Sequence, residues 1–333
     1  MSVLIAGGSG FVGLNIAEAC LAAGEDIVLL DRNAPPTAAA TAFASLPGSW
    51  QHAAVDVTCA DQIDQVFAEH DVREVFYGAA ITSGPERERD HPEQVIGVNL
   101  LGLTHVISAA AHGGVRRMIN ISSGAAYGDG GYADSGASAP LDEYATRALP
   151  STLYSVTKFA GEGICRRQAE LTGLDVFSVR LSTIFGPWEL DSGFRDTLSA
   201  PMQAAKIALD GGVARLERRD VRDWTYSRDV ANALRALMAA PEHQFDLYNV
   251  SAGRTCSTLD WCAALEEHFA DFSGHLCAPG EQANVELHGD RDRLSMSPQR
   301  LHEDIGHAVP GDIATIAADF AAWIRTHPHY WAR

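Results

Sequence analysis

The chain has 333 residues, 46% hydrophobic and 20% charged, which fits an ordinary globular protein and predicts one large domain or one plus a smaller lobe. A formal net charge of −18 argues against a nucleic-acid partner, because affinity for that backbone comes from neutralising phosphates with Lys and Arg. No apolar stretch approaches the ~20 residues of a membrane span, no export signal precedes the first strand, and six scattered cysteines suggest no disulfide framework, so a cytoplasmic protein is expected.

In chain order, Val3–Ala6 reads as a strand and Gly10–Ala23 as a helix. Strands at Ile27–Leu30 and Gln51–Val55, a helix at Asp61–Glu69, and strands at Glu74–Tyr77 and Arg117–Ile121 around a helix from about Pro92 to Ala111 come next. A helix carrying Tyr154 leads to a sixth strand, Asp175–Arg180. Short apolar strands separated by helices predict an α/β fold, a doubly wound, Rossmann-type parallel sheet. After Gly186-Pro187 the pattern changes. Trp188–Phe194 reads as loop, with helices around Arg195–Asp210, Asp229–Ala240, Thr258–Phe269 and Ile313–Thr326. The last carries Ile316, Phe320, Trp323 and Ile324 at helical spacing, as core anchors. The expected division is a dinucleotide-binding domain over 1–186 and a smaller, mainly substrate-binding lobe over 187–333, with segments able to return to the sheet.

Gly7-Gly8-Ser9-Gly10-Phe11-Val12-Gly13 follows the first strand and opens the first helix, the context in which a glycine-rich turn can lay backbone amides against a pyrophosphate. Asp31, at the end of the second strand, falls where an acid accepts from both adenosine ribose hydroxyls and repels a 2′-phosphate, so NAD is preferred over NADP. Arg32 beside it could stack on adenine or offset that repulsion. Asp56-Val57, after the third strand, could bind the adenine amino group or merely start a helix. The small side chains of Gly78-Ala79-Ala80 suit a sheet edge crossed by a cofactor, or close helix packing.

Tyr154-Ser-Val-Thr-Lys158 sets a phenol and an amine one helical turn apart on one face. A free phenol, with a pKa near 10, is too weakly acidic to serve as a base at neutral pH. A neighbouring ammonium and a nicotinamide cation would favour the phenolate, letting Tyr154 take a hydroxyl proton as the carbon gives up hydride. Lys158 would also bind the nicotinamide ribose. Ser123, at the end of the fifth strand, could orient the reacting oxygen, or simply cap a turn. No metal site is read.

These motifs recur in a recognisable order. They run with Val98-Asn99-Leu100-Leu101-Gly102, Ala126-Tyr127-Gly128, Arg180, Gly186-Pro187, Arg222-Asp223-Trp224-Thr225-Tyr226 and Asp229-Val230-Ala231. The chain resembles the extended short-chain dehydrogenase/reductases of the NAD-dependent epimerase/dehydratase family, over nearly its whole length. The resemblance implies Ser123, Tyr154 and Lys158 as the catalytic trio and Asn99 as a supporting residue. It also implies a homodimer made by packing the Asn99 and Tyr154 helices into a four-helix bundle.

Family dehydratases carry two acids after the catalytic hydroxyl residue, where this chain has Gly124 and Ala125, so dehydration is disfavoured. An epimerase of nucleotide sugars would grip a diphosphate, and Arg222 and Arg291 lie where similar proteins place arginines for it. Both could equally be surface ion pairs, and Thr183 stands where nucleotide-sugar members show Asn. Ala80-Ile81-Thr82-Ser83-Gly84 looks more like members that oxidise free sugars or sugar acids, with Thr82, Ser83 and Thr183 as hydroxyl donors to a small carbohydrate. Arg87 and Arg89, in the following loop, could meet a carboxylate, but their alternation with Glu86 and Glu88 favours a solvated charged loop. A dehydrogenase acting on a secondary alcohol carbon is narrowly favoured over a UDP-glucose 4-epimerase-like enzyme, with a non-catalytic NAD sensor third.

Overall fold

Strands form where apolar residues run almost unbroken, because both faces of the sheet are covered. A computed structural model of the chain describes residues 1–190, 198–327 and 330. Its main sheet contains β1 (Ser2–Ala6), β2 (Ile27–Asp31), β3 (Trp50–Ala54), β4 (Val72–Tyr77), β5 (Arg117–Ser123) and β6 (Val176–Leu181). All neighbours pair in parallel, in the order β6-β5-β4-β1-β2-β3. The chain winds outward from β1 through β2 and β3, then restarts on the other side with β4. The switch point between β1 and β4 is where open α/β sheets receive ligands.

A seventh strand, Leu247–Val250, pairs in parallel with β6. It lies far beyond the sixth predicted strand, and its four residues, all buried, are too short a run to mark it in the sequence. Side chains alternate between two cores: Val3 and Ile5 join one, Leu4 and Ala6 the other. The first core receives the helices Phe11–Ala22, Ser227–Ala239 and Ile313–Thr326, and the predicted anchors Ile316, Phe320, Trp323 and Ile324 are buried there. Trp188, in the predicted loop, is also buried, edge-on to Trp323 at 5.1 Å. Residues 191–194 of that loop and the predicted helix start at Arg195 lie outside the described residues, and the helix observed after them is Ala200–Leu209.

The helical run Pro92–His112 is long and apolar enough, by length and composition, to cross a membrane, contrary to the reading of the sequence. Its Val95, Leu103, Val106 and Ile107 are buried in this fold. It is interrupted by a π-helical stretch, Gly97–Gly102, which carries Asn99 inward. The Tyr154 helix spans Leu153–Thr172. It starts at a Thr152–Ser155 capping box and stops at Gly173, whose φ of 72° is the left-handed end glycine accepts without strain. Among the described residues, the short α-helices Thr37–Phe43, Pro85–Asp90 and Gln299–Ile305 escaped the sequence reading.

Candidate active site

Because the strands are parallel, their C-terminal ends share one edge. Gly7 follows β1, Asp31 ends β2, Gly78 follows β4, Ser123 ends β5 and Thr183 stands two residues past β6. The glycine turn is shaped by contact with its neighbours. Gly7 has φ +79°, and a β-carbon on it would come within 2.7 Å of the Ala79 nitrogen. One on Gly13 would come within 2.2 Å of the Gly7 carbonyl oxygen. Gly10 caps the first helix without a side-chain hydrogen bond. The helix therefore begins at Phe11 and Val12 directly behind the glycine turn, and the start of a helix is where backbone amides can face an anion.

The Asp31 carboxylate accepts from Ser9 N at 3.3 Å and Asn33 N at 3.0 Å, which fixes it against the glycine turn. Arg32 is drawn instead to Asp56, at 3.4 Å. The other Asp56 oxygen accepts from Thr58 N at 2.9 Å and Thr58 Oγ1 at 2.7 Å, closing its own turn. Burial alone would raise the Asp56 carboxyl, but these hydrogen bonds and Arg32 hold it below the usual range. Val57 is buried and fills the space that a β-carbon on Gly102 would need. Gly78 donates to the Ala6 carbonyl at 2.9 Å, and Ala79 is buried beside it, with Ala80 half-buried.

Lys158 is buried, and its Nζ donates to the Ile121 carbonyl at 2.7 Å, next to the Ser122-Ser123 end of β5. The same nitrogen lies 5.8 Å from the centroid of the Tyr154 ring. Burial pulls the amine down to about 8, partly offset by the Glu162 carboxylate one turn on. Ser123 Oγ accepts from Ala125 N at 3.1 Å, the turn-capping contact expected of a serine at a strand end. Asn99 accepts from Ile81 N at 2.8 Å and donates to Thr157 Oγ1 at 3.0 Å, linking the exit of β4 to the Tyr154 helix. Asn99 thus meets protein partners on both sides of its amide.

The substrate-side candidates are not gathered in the same way. Thr82 is exposed, while Ser83 Oγ is spent on Glu88 at 3.0 Å. Thr183 is half-buried, its amide donating to the Asp223 carbonyl at 3.2 Å. Arg222 is buried and donates to Asp220 at 2.8 Å and to the His288 carbonyl. Arg291 lies over the Tyr132 ring and is paired with Asp134, with Asp129 at 3.6 Å. The segment read as a solvated loop is the helix Pro85–Asp90, and its Glu88 accepts from the backbone of the Tyr154 helix.

The model of the NAD dependent epimerase/dehydratase family matches residues 3–251. The chain belongs to that family.

NAD is the cofactor of the NAD-dependent epimerase/dehydratase family, and the glycine turn and Asp31 fit it. A UDP-glucose 4-epimerase of Mycolicibacterium smegmatis is 27% identical, over 92% of this chain and 93% of its own. A dTDP-L-rhamnose 4-epimerase of Burkholderia thailandensis is 23% identical, over 85% of this chain and 83% of its own. The crystal structure of a UDP-glucose-4-epimerase from Stenotrophomonas maltophila, with bound NAD, superposes with a TM-score of 0.79 at 19% identity, over 99% of both chains.

Two carboxylates beside the Tyr154 helix, Glu162 and Glu88, were not singled out in the sequence. Glu162 receives Arg180 through two nitrogens, at 2.9 and 2.7 Å, and Ser122 Oγ at 2.6 Å, all buried. This anchors β5 and β6 to the Tyr154 helix immediately beneath Lys158. Its spacing four residues after Lys158 was the available signal. Glu88 had no such signal, because its partners lie far away in sequence.

Proposed function

We propose that the protein is an NAD-dependent epimerase of a nucleotide sugar, inverting a secondary alcohol carbon. NAD, when bound, supplies the hydride acceptor and donor. Tyr154 takes the hydroxyl proton as the C–H hydride leaves and returns it when hydride comes back to the opposite face. Lys158 keeps the phenolate favoured and holds the nicotinamide ribose, and Ser123 donates a hydrogen bond to the reacting oxygen. Asn99 supports the Tyr154 helix, and residues from 187 on form most of the substrate lobe. Support for this over a dehydrogenase comes from curated relatives named as nucleotide-sugar epimerases that span almost the whole chain.

Dehydration is disfavoured by Gly124 and Ala125, which carry no acid; a side chain at Gly124 would also have to displace Met296, since a β-carbon there would come within 2.7 Å of its Sδ. A homodimer is part of the proposal: Ile96, Leu101, Val156 and Phe159 are exposed apolar side chains on two packed helical runs.

One observation favours a second reading, oxidation of a free sugar or sugar acid: Arg222 and Arg291 are already matched by Asp220, Asp129 and Asp134. The deciding experiment incubates purified protein and NAD⁺ with UDP-hexoses, UDP-hexuronates, free aldoses and sugar acids. Inverted sugar nucleotide without net NADH supports the epimerase. NADH released in proportion to an oxidised free sugar would replace it with the dehydrogenase.

A further inference from the structure

A base at the first turn of a helix needs that turn held still, because helix ends fray. Four amides there lack intrahelical partners. Thr152 N is taken by Ser155 Oγ at 2.9 Å, and Ser155 N by Thr152 Oγ1 at 3.1 Å. The remaining two, Leu153 N and Tyr154 N, donate to one atom of a distant residue, Glu88 Oε1, at 2.9 and 3.3 Å. The same oxygen accepts from Ser83 Oγ at 3.0 Å.

The other side of Tyr154 is also tied to this segment. Its carbonyl accepts from Thr157 Oγ1 at 2.8 Å, and that hydroxyl accepts from Asn99, which holds both the amide and the carbonyl of Ile81. The stretch from Ile81 to Glu88 therefore grips the Tyr154 peptide from its amide side and its carbonyl side. A carboxylate is well suited to the amide side, where the helix dipole is positive.

We infer that Glu88 is a positioning residue for Tyr154, coupling the segment Thr82–Asp90 to the tyrosine backbone so that displacement of that segment displaces the phenol. The inference rests on Tyr154 being the base. Ser83, in this view, serves Glu88 and does not bind substrate.

The test compares Glu88→Gln, which keeps an acceptor at full reach, with Glu88→Asp, which keeps the charge but withdraws it by one methylene. Amide hydrogen exchange of the first turn of Leu153–Thr172 is measured in each, with and without NAD. Turnover is measured on the compound identified by the substrate panel. Glu88→Asp should lose first-turn protection and about 10- to 100-fold in kcat, the scale of a misplaced reacting group, with NAD affinity unchanged within about twofold. Glu88→Gln should retain both. Normal protection and kcat in Glu88→Asp, or a Gln variant as impaired as the Asp variant, would overturn the role. Tyr154→Phe is the separate control: if it keeps turnover, the base assignment fails, whatever Glu88 does.

Discussion

Lys158 Nζ donates to the Ile121 carbonyl at 2.7 Å, so the amine is anchored to the strand that ends in Ser123. The lysine is thereby held from below while Tyr154 stands one helical turn away, and the ammonium lies 5.8 Å from the tyrosine ring centroid.

Removing the phenol should test the proton transfer alone. Tyr154→Phe is expected to lower kcat by about 10³-fold, within the range of general acid–base effects, while NAD affinity measured by fluorescence titration stays close to wild type. Comparable turnover in the variant would exclude Tyr154 from the chemistry.

The Lys158 amine, lowered by burial to about 8, sets an alkaline limit. Turnover should decline as pH rises through that value, because the neutral amine no longer favours the phenolate. Lys158→Met should be slow throughout and lack this limb in a kcat profile from pH 6 to 10. The linkage sign for stability is opposite: a lowered folded value favours the neutral amine, so this group's contribution grows as pH rises from about 8 towards 10.5.

Gly13→Ala would drive a β-carbon to 2.2 Å from the Gly7 carbonyl. The turn and the first helix must part, at a cost of about 1–3 kcal/mol typical of overpacking. Thermal unfolding should register that loss, and NAD titration a weakened affinity. An unchanged melting temperature together with full NAD affinity would mean the turn does not need this close approach.

Away from the site, Arg117 is buried and bonds Asp175 at 2.6 Å, and His243 pairs with the same carboxylate. Burial would raise Asp175, but the bonds from His243 and Arg117 hold it low. Burial would lower His243, but Asp175 raises it above 6.5. The Asp175 contribution is present above its unfolded value and lost as pH falls through the lower folded one. The His243 contribution is complete below about 6.5 and lost as pH rises through its raised value. Urea unfolding should therefore show this triad stabilising most between about pH 4 and 6.5. Asp175→Ala, leaving the Arg117 charge without its carboxylate, should cost about 3 kcal/mol there.

Much of the fold could be read directly. Six sheet strands, the glycine turn, Asp31 and the Tyr154–Lys158 spacing are local patterns, since strand and helix periodicity and turn chemistry operate over a few residues. The anchors Ile316, Phe320, Trp323 and Ile324 were legible for the same reason. Family membership followed from the order of such patterns along the chain.

Tertiary structure decided what depends on residues far apart in sequence. Leu247–Val250 becomes a sheet strand only because β6 offers an open edge. Arg222 and Arg291 read in the sequence as diphosphate grips or surface ion pairs alike; folding holds Arg222 between its neighbour Asp220 and the distant His288 carbonyl, and brings Asp134 to Arg291. Glu88 reads as one charge in an alternating run, and folding carries it 65 positions along the chain to the amide of Leu153. Hydrogen bonds and ion pairs act over a few ångströms of space, and no short-range pattern encodes which distant groups will share them.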